Sequence, residues 1–308
     1  MMQASMKKND IYLYGMILIT NSFLLKDAYP EPDTYGEITK RYALPGGETG
    51  TSATVLANYG CSVIMDGTYM GNHTYPQIVE FYKDKSVDTS RLYLDKSFDG
   101  LEDYVLIDKN TRTPFGTFGQ YYSDGLKRWN EPKEADILFS RVVGLDPWFE
   151  EMTERVVSIC MDNNVPYVTI DCPYDGEIHK HCAINVLSNE FISANYPMED
   201  RYSLFQKYAD HTDGLVIFTL GSKDILYGRK GNFVRHQPNH FKPYSVNVVS
   251  TLGAGDSFKA GCIYSLLHSK NDYDTVSFAA ATAACACTVF PLPLNPPTLD
   301  QVKALQES

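Results

Sequence analysis

The sequence lacks a disulfide framework and an excess of basic residues. Its seven cysteines are odd in number and scattered, and no Cys-x-x-Cys pair occurs among them. That usage is typical of reduced thiols in a cytosolic protein. Acidic residues outnumber basic ones by 38 to 27, and the formal net charge is -11. Because a surface of that sign repels nucleic acids and anionic membranes, we expect a cytoplasmic protein that binds neither.

Long hydrophobic runs and low-complexity linkers are also missing. The apolar run at residues 11–19 contains Tyr12, Tyr14 and Gly15 and has no small-residue cleavage site nearby, so it predicts a core strand rather than a signal peptide. The run at residues 278–290 is mostly Ala, Cys and Thr. It is too short and too weakly apolar to span a bilayer, and it predicts a buried helix of small residues. We predict a single domain over residues 1–308.

One group of residues consists of types that bind zinc in proteins. Cys172, His179, His181 and Cys182 lie close together in the sequence. Their spacing matches no common zinc pattern. We therefore favour coincidence over a structural zinc site.

Strand-like and helical runs alternate over most of the chain. The strand-like runs are residues 11–19, 61–65, 137–143, 167–170, 190–194 and 214–220. The helical runs are residues 51–59, 75–85, 149–163, 198–211, 257–267 and 273–288. This alternation predicts an α/β fold with a mostly parallel central sheet and helices on both faces.

Two regions, at about residues 21–45 and 91–122, interrupt the alternation. The second reads as a meander of strands at residues 91–94, 102–108 and 114–122, with a turn candidate at Lys109-Asn110-Thr111. We interpret both regions as strands outside the main sheet. Together they predict a small antiparallel β layer that acts as a lid.

The sharpest motif is the glycine-rich turn Gly253-Ala254-Gly255-Asp256, which follows a β-rich run and precedes an amphipathic helix. The backbone N–H groups of such a turn converge at the helix N-terminus and bind an anion. A carboxylate beside an anion site is unsuited to hold phosphate, but it can accept a proton from an attacking hydroxyl. The alternative is an ordinary strand–turn–helix in which Asp256 caps the helix.

A second motif, Pro45-Gly46-Gly47, precedes an Ala-rich helix. Paired glycines let a ligand approach the backbone closely, although a tight turn at a helix start has the same pattern. In order and separation, the two motifs together resemble the ribokinase family (PfkB-type carbohydrate kinases).

Shorter segments carry the same resemblance, which covers nearly the whole chain. They are Val87-Asp88-Thr89-Ser90, Thr219-Leu220-Gly221, and Asn195 with Glu199 at a spacing one residue longer than in the family. Residues 112–125, with Phe115-Gly116 and Tyr121, resemble the fructosamine-kinase branch. The resemblance implies a ribokinase-like α/β fold.

The implied activity is an ATP-dependent transfer of the γ-phosphoryl group to a hydroxyl of a sugar or sugar derivative. In the family, the aspartate at the position of Asp256 is the general base, and the amides of Gly253, Ala254 and Gly255 form the anion hole. Mg²⁺ enters with ATP, and Glu199 is our candidate for orienting its ligand shell. Homodimers through the lid occur in the family.

The resemblance also implies two sets of binding residues. The nucleotide set is Asn195, Thr219, Gly221 and Thr251, with the alanines at 283, 284 and 286 near the adenine. The sugar set is Asn21, Gly46, Gly47 and Thr51.

Several positions depart from the family pattern, and most lie on the sugar side. Thr20 stands where the family has a sugar-binding aspartate, Thr51 replaces an asparagine, and residues 71–76 only partly match a glycine-rich element. Ser250 replaces the aspartate before the catalytic turn, which argues against a monovalent-cation site, and Asp224 replaces a glycine. The motif that is expected to bind the phosphoryl group is intact, whereas the positions that are expected to bind the sugar are altered.

Two other functions remain open. One is a nucleoside kinase of the same fold, and the other is a catalytically silent sugar- or nucleotide-binding protein. Lys223 and Lys259 lie near the predicted phosphates, but we favour solvated side chains for both. For Tyr121 and Tyr122 we favour packing against a strand face over stacking on a sugar ring.

Overall fold

The computed structural model describes residues 9–108, 111–123, 125–231 and 237–308. Lys109 and Asn110 of the predicted turn lie outside these residues. The strands, numbered in chain order, are β1 (Asn9–Gly15), β2 (Leu18–Leu25), β3 (Ile38–Gly46), β4 (Val63–Gly67), β5 (Val87–Asp88), β6 (Glu102–Ile107), β7 (Arg112–Gly116), β8 (Ser140–Leu145), β9 (Tyr167–Ile170), β10 (Ile184–Ser188), β11 (Leu215–Thr219), β12 (Ile225–Gly228) and β13 (Asn239–Phe241).

The helices surround two sheets. They are α1 (Gly47–Asn58), α2 (Thr74–Tyr82), α3 (Phe118–Ser123), α4 (Glu134–Phe139), α5 (Glu150–Asp162), α6 (Glu177–Lys180), α7 (Asn189–Asn195), α8 (Arg201–Asp210), α9 (Ala254–Leu267), α10 (Asp272–Cys287) and α11 (Leu299–Gln306), with a 3-10 turn at Leu292–Leu294. No helix in the described ranges is long and apolar enough to cross a membrane.

The large sheet has nine strands in the order β13-β12-β11-β10-β9-β8-β1-β4-β5. Its pairings are parallel except at the β11–β12–β13 edge. In β1, Ile11 and Leu13 join one hydrophobic cluster while Tyr12 and Tyr14 join another. Successive side chains of a strand point to opposite faces, so both faces of the sheet are covered. The predicted α/β architecture is confirmed.

The small sheet has four strands in the order β3-β2-β6-β7. The outer pairs, β2–β3 and β6–β7, are antiparallel, and the central pair β2–β6 is parallel. These strands come largely from the two regions that interrupt the alternation, although β2 begins at Leu18, before the first of them.

The run predicted as one strand at residues 11–19 is divided between the two sheets. At the division the N–H of Met16 donates to Asp146 Oδ2 at 2.8 Å, and the N–H of Ile17 donates to Thr68 Oγ1 at 2.9 Å. Side chains thus replace the strand partners that the backbone loses as it leaves the large sheet.

Several predicted elements are wrong in type or extent. Residues 190–194 belong to α7 because the Ser188 hydroxyl caps it, accepting the N–H of Phe191 at 3.0 Å. The strand of that region is β10, just before the cap. Residues 137–143 are shared between α4 and β8, and residues 91–94 form only an isolated bridge at Leu94. The strand predicted at residues 114–122 ends at Gly116, and α3 follows.

The predicted buried helix of small residues is α10, which packs against α9. A Cβ built on Gly261 of α9 would lie 2.6 Å from the Cα of Ala279 in α10. The two backbones are therefore too close for any side chain at position 261. This contact holds α9, whose first turn carries Asp256, against the body of the protein.

We expect Gly261→Ala to lower the free energy of unfolding, because overpacking a close helix contact costs about 1–3 kcal/mol. The matched control is Gly119→Ala in α3, where an added Cβ meets no atom within 4 Å. That change should be neutral or stabilising by about 0.5–1 kcal/mol, since alanine favours helix. Urea denaturation of both variants measures the difference. Equal stability of the two would contradict the close contact.

Candidate active site

A pocket of about 200 Å³ lies between the small sheet and the first turn of α9. The small sheet contributes Leu18, Thr20, Ser22 and Asp103, the start of α1 contributes Gly46, Gly47, Glu48 and Thr51, and the turn contributes Leu252, Gly253 and Asp256. Phe118 and residues 289–293 close the remaining side. The two glycine motifs of the sequence are therefore brought to one pocket.

The turn before α9 has the geometry of an anion-binding site. Gly253 has φ of +78°, a left-handed conformation that favours glycine. The N–H of Ala254 donates to the Thr251 carbonyl at 3.2 Å, so it is engaged within the turn. The N–H groups of Gly255 and Asp256 have no acceptor among the described residues. A Cβ on Gly255 would meet no atom within 4 Å, so an anion can reach these donors.

Asp256 is held beside α1. The Thr51 hydroxyl hydrogen-bonds its carboxylate, and the Ser52 hydroxyl donates to its backbone carbonyl at 3.3 Å. Burial raises the pKa of Asp256 to about 6, with a further increase from Asp146, while Lys259, Arg112 and Thr51 oppose the shift. The carboxylate is thus largely ionised at neutral pH and well placed in pKa to accept a proton.

Arg112 extends from β7 of the small sheet to the turn before α9. Its guanidinium donates to the Thr251 carbonyl and, at 3.1 Å, to the Thr251 hydroxyl. The positive charge lowers the pKa of Asp256. The sequence contains no local signal for this contact, because it depends on the docking of the small sheet.

A buried ion pair lies behind the pocket. Lys259 and Asp146 are both fully buried and in direct contact. The other carboxylate oxygen of Asp146 accepts the N–H of Met16 and the hydroxyl of Thr49, each at 2.8 Å. The expectation that Lys259 is solvated is therefore wrong, because one turn of α9 carries Asp256 to the pocket and Lys259 to the interior.

Glu48 lines the pocket at the start of α1. Burial, followed by the negative charges of Asp146 and Asp256, raises its pKa to about 8, and Lys259 opposes the shift. The raised pKa favours the protonated form of Glu48 near neutral pH. Sequence reasoning missed this residue, although it directly follows the Gly46-Gly47 pair.

The two candidate sugar residues on β2 point to opposite sides of the small sheet. Thr20 lines the pocket, whereas Asn21 donates from Nδ2 to Glu102 Oε2 at 2.8 Å and does not line it. Thr20 pairs across the sheet with Asp103 of β6. Asp103 therefore brings a carboxylate to the pocket from the neighbouring strand, and this could have been found only from the β2–β6 register.

The remaining nucleotide and metal candidates do not line this pocket. Thr219 ends β11 and donates to the Leu187 carbonyl at 3.3 Å, and Gly221 follows with φ of +67°. Asn195 is exposed and donates to the Phe191 carbonyl at 3.0 Å. Both carboxylate oxygens of Glu199 accept from Lys207, at 2.6 and 2.8 Å. Glu199 is therefore available to Mg²⁺ only when that ion pair opens.

Other singled-out side chains have structural partners. Tyr121 is buried, donates to the Arg128 carbonyl at 2.6 Å and packs against Trp129. His179, of the grouped zinc-ligating types, is buried and bonds Asn185 at 2.9 Å and the Tyr208 carbonyl at 2.8 Å. Both are explained by packing and hydrogen bonding.

The sequence is similar to those of known carbohydrate kinases. Residues 10–292 match the family described as pfkB family carbohydrate kinase. An uncharacterized sugar kinase of Dictyostelium discoideum is 28% identical over 229 residues, which are 66% of this chain and 64% of the relative. The 1-phosphofructokinase of Escherichia coli strain K12 is 40% identical over 72 residues, which are 23% of this chain and 21% of that protein. The matched segments thus span less than two thirds of either relative.

Solved structures share the fold over almost the whole chain. The ribokinase of Arabidopsis thaliana, complexed with ribose and ATP, superposes with a TM-score of 0.79, covers 97% of this chain and 99% of its own, and is 17% identical. The nucleoside kinase of Methanocaldococcus jannaschii, described as an archaeal member of the ribokinase family, has a TM-score of 0.76, covers 98% of this chain and 99% of its own, and is 18% identical.

We expect Lys259→Met alone to destabilise the protein by about 3–5 kcal/mol, because it leaves Asp146 charged and buried without its partner. Asp146→Leu alone should have a similar effect, and the double variant should lose less than the sum of the two. Urea denaturation of the four proteins gives the coupling energy.

The control is Lys26→Met, since Lys26 pairs with Glu37 at the surface, where both side chains are more than half exposed. Such a change costs about 0–1 kcal/mol. An effect of Lys259→Met no larger than that of Lys26→Met would contradict a buried pair.

Glu48 should make the stability depend on pH. Its pKa in the folded protein, about 8, lies above the ordinary value of 4.5, so the folded state holds a proton that the unfolded state releases. The free energy of unfolding should therefore fall as pH rises toward 8. In Glu48→Gln this loss between pH 6.5 and 8.5 should largely disappear, whereas the exposed Glu80→Gln should retain it. Parallel profiles for wild type and Glu48→Gln would contradict the raised pKa.

Proposed function

The chain belongs to the pfkB family of carbohydrate kinases, and on that premise we propose that it transfers the γ-phosphoryl group of ATP to a hydroxyl of a sugar or sugar derivative. The observation that carries the proposal is the first turn of α9. There two N–H groups with no acceptor among the described residues lie on the same turn as a partly buried carboxylate that lines an open pocket. Phosphoryl transfer to a hydroxyl requires these two functions side by side.

Asp256 acts as the general base. The acceptor hydroxyl lies in the pocket and gives its proton to the Asp256 carboxylate as its oxygen attacks the γ phosphorus. The bond from that phosphorus to the β–γ bridging oxygen breaks at the same time, and ADP leaves. The hydrogen bond from Thr51 fixes the orientation of that carboxylate. Gly46 lets the Thr20 side chain pack against the backbone at the pocket wall, where a Cβ would collide with the Thr20 hydroxyl at 2.0 Å.

The N–H groups of Gly255 and Asp256 hold the oxygens of the transferring phosphoryl group. Gly253 and Ala254 set the turn that directs those donors, and Arg112 adds positive charge from the small sheet. We assign Thr219, Gly221, Thr251 and Asn195 to the nucleotide. Mg²⁺ bound with ATP would neutralise charge on the β and γ oxygens, and Glu199 is its candidate protein partner once freed from Lys207.

The small sheet serves as a lid. Arg112 hydrogen-bonds Thr251 across the pocket mouth, so the sheet is docked on the catalytic turn. Docking excludes water, which otherwise competes with the sugar as phosphoryl acceptor. We also propose a homodimer through the outer side of this sheet. Tyr104 and Phe115 are 44% and 46% exposed there, and they are cross-strand neighbours.

A nucleoside kinase of the same fold is the second candidate. Phe118 and Phe290 line the pocket, and an aromatic ring stacks on a nucleobase as well as on the apolar face of a sugar. The base and anion site would be the same. Substrate assays with sugars and nucleosides separate the two activities.

We expect ATP-dependent ADP release with one or more sugars, and a drop in kcat of about 10²- to 10⁴-fold in Asp256→Asn. Asparagine keeps the shape and the helix-capping ability of aspartate but cannot accept the proton. The affinity for ATP should stay similar or improve, since a negative charge near the phosphates is removed.

The matched control is Asp300→Asn, the same change in the first turn of α11, which should leave turnover unchanged. Full activity of Asp256→Asn would support a helix cap and overturn the mechanism. Absence of ADP release with every sugar and nucleoside, in protein that binds ATP, would instead favour a catalytically silent binding protein.

A further inference from the structure

We propose that the substrate is a sugar that carries no phosphate or carboxylate group, and that Asp103 is the residue that binds its hydroxyl or amino groups. The inference rests on the proposed function and specifies its substrate class. It follows from three properties of the pocket: an unsatisfied acceptor, the sign of the lining charges, and the use of the nearby cations elsewhere.

Asp103 Oδ1 is an unsatisfied acceptor in the pocket wall. The atom is shielded from water and has no hydrogen-bond partner among the described residues. The Thr20 hydroxyl hydrogen-bonds the carboxylate, but burial still raises the pKa of Asp103 to about 6. A buried oxygen without a partner is costly, so a ligand that brings a hydroxyl or amino donor is favoured at this position.

The ionisable side chains that line the pocket are all acidic. Asp103 and Asp256 line it together with Glu48, whose raised pKa favours its uncharged form near neutral pH, and none of its described lining residues is Lys, Arg or His. The negative charges of Asp103 and Asp256 repel each other, and the charge of Asp256 contributes to the raised pKa of Asp103. A phosphate or carboxylate on the sugar would be desolvated beside these groups without a counter-charge.

Two cations near the pocket are already engaged. Lys259 is fully buried and paired with Asp146. Arg112 is bound to Thr251 at the catalytic turn, which is the position of the phosphoryl group to be transferred. Neither is therefore available to a second anionic group at the Asp103 end of the pocket.

An unphosphorylated substrate would distinguish the chain from its 1-phosphofructokinase relative, whose name specifies a phosphorylated fructose. The similarity to that relative covers 23% of the chain. Asp103 belongs to β6, and its position is defined by the pairing of β6 with β2 rather than by a local motif. Substrate class can therefore differ while the catalytic turn is unchanged.

The test uses matched pairs of sugars: fructose and fructose 1-phosphate, ribose and ribose 5-phosphate, glucose and glucose 6-phosphate. Binding of each is measured by isothermal titration calorimetry, with and without a non-hydrolysable ATP analogue, and turnover by ADP release. We expect at least one unphosphorylated member to bind, and to bind about 10- to 100-fold more tightly than its phosphate.

Asp103→Asn should raise the KM for the preferred sugar and lower kcat/KM about 10- to 100-fold, because an acceptor oxygen is replaced by a donor. The KM for ATP should not change. The matched control is Glu102→Gln, whose side chain contacts Asn21 and His73 and does not line the pocket. It should leave the KM for the sugar unaffected.

Preference for a phosphorylated member of any pair would overturn the proposal, as would an unchanged sugar KM in Asp103→Asn. Binding of neither member of any pair would overturn it as well. Tight binding of an unphosphorylated sugar without ADP release would support the substrate class and overturn the kinase activity, so the two conclusions fail by different results.

Discussion

Asp146 and Lys259 form an ion pair with no exposure to solvent, and three elements of the site are attached to it. Lys259 belongs to α9, Thr49 to α1, and Met16 to the point where the chain leaves the large sheet. A carboxylate in the protein interior needs its acceptor capacity filled, and these groups fill it. The relative position of the two glycine motifs is set by that requirement. Exchange of the pair for apolar side chains would keep burial but lose the directional bonds.

The electrostatics of the pocket follow from the same pair. Because Lys259 is committed to Asp146, its charge only partly offsets the burial of Glu48 and Asp256. Both carboxyl groups therefore have raised pKa values. A base with a pKa near 6 is more effective at taking a proton from an alcohol than an ordinary surface aspartate, and it is still ionised at neutral pH. The burial that raises the pKa of Asp256 is thus the property that suits this carboxylate to the proposed proton transfer.

The parts of the site that could be predicted from sequence are those encoded by neighbouring residues. Residues 253–256 and the Gly46-Gly47 pair are local turns with a defined backbone requirement, and the structure places both at one pocket. The alternation of strands and helices gave the class of fold for the same reason. Errors arose where a short apolar run is compatible with either a strand or a helix. Residues 190–194 are such a run, and a serine cap makes them helical.

Residues that reach the site through tertiary contacts could not be found in this way. Asp103 depends on the register between β2 and β6, and Arg112 depends on the docking of β7 against the catalytic turn. Lys259 has the sequence context of an ordinary helix lysine, and only its partner on another element explains its burial. In each case the decisive neighbour is distant in the sequence.

The division of one apolar run between two sheets has a mechanical consequence. Met16 and Ile17 join β1, in the rigid core, directly to β2, in the lid, with their N–H groups fixed by Asp146 and Thr68. The carbonyl of Met16 also accepts the N–H of Thr49 at the start of α1. A displacement of the small sheet would therefore act on the ion pair and on the first turn of α1. In the proposed lid, the occupancy of the pocket and the position of the small sheet would be thermodynamically coupled.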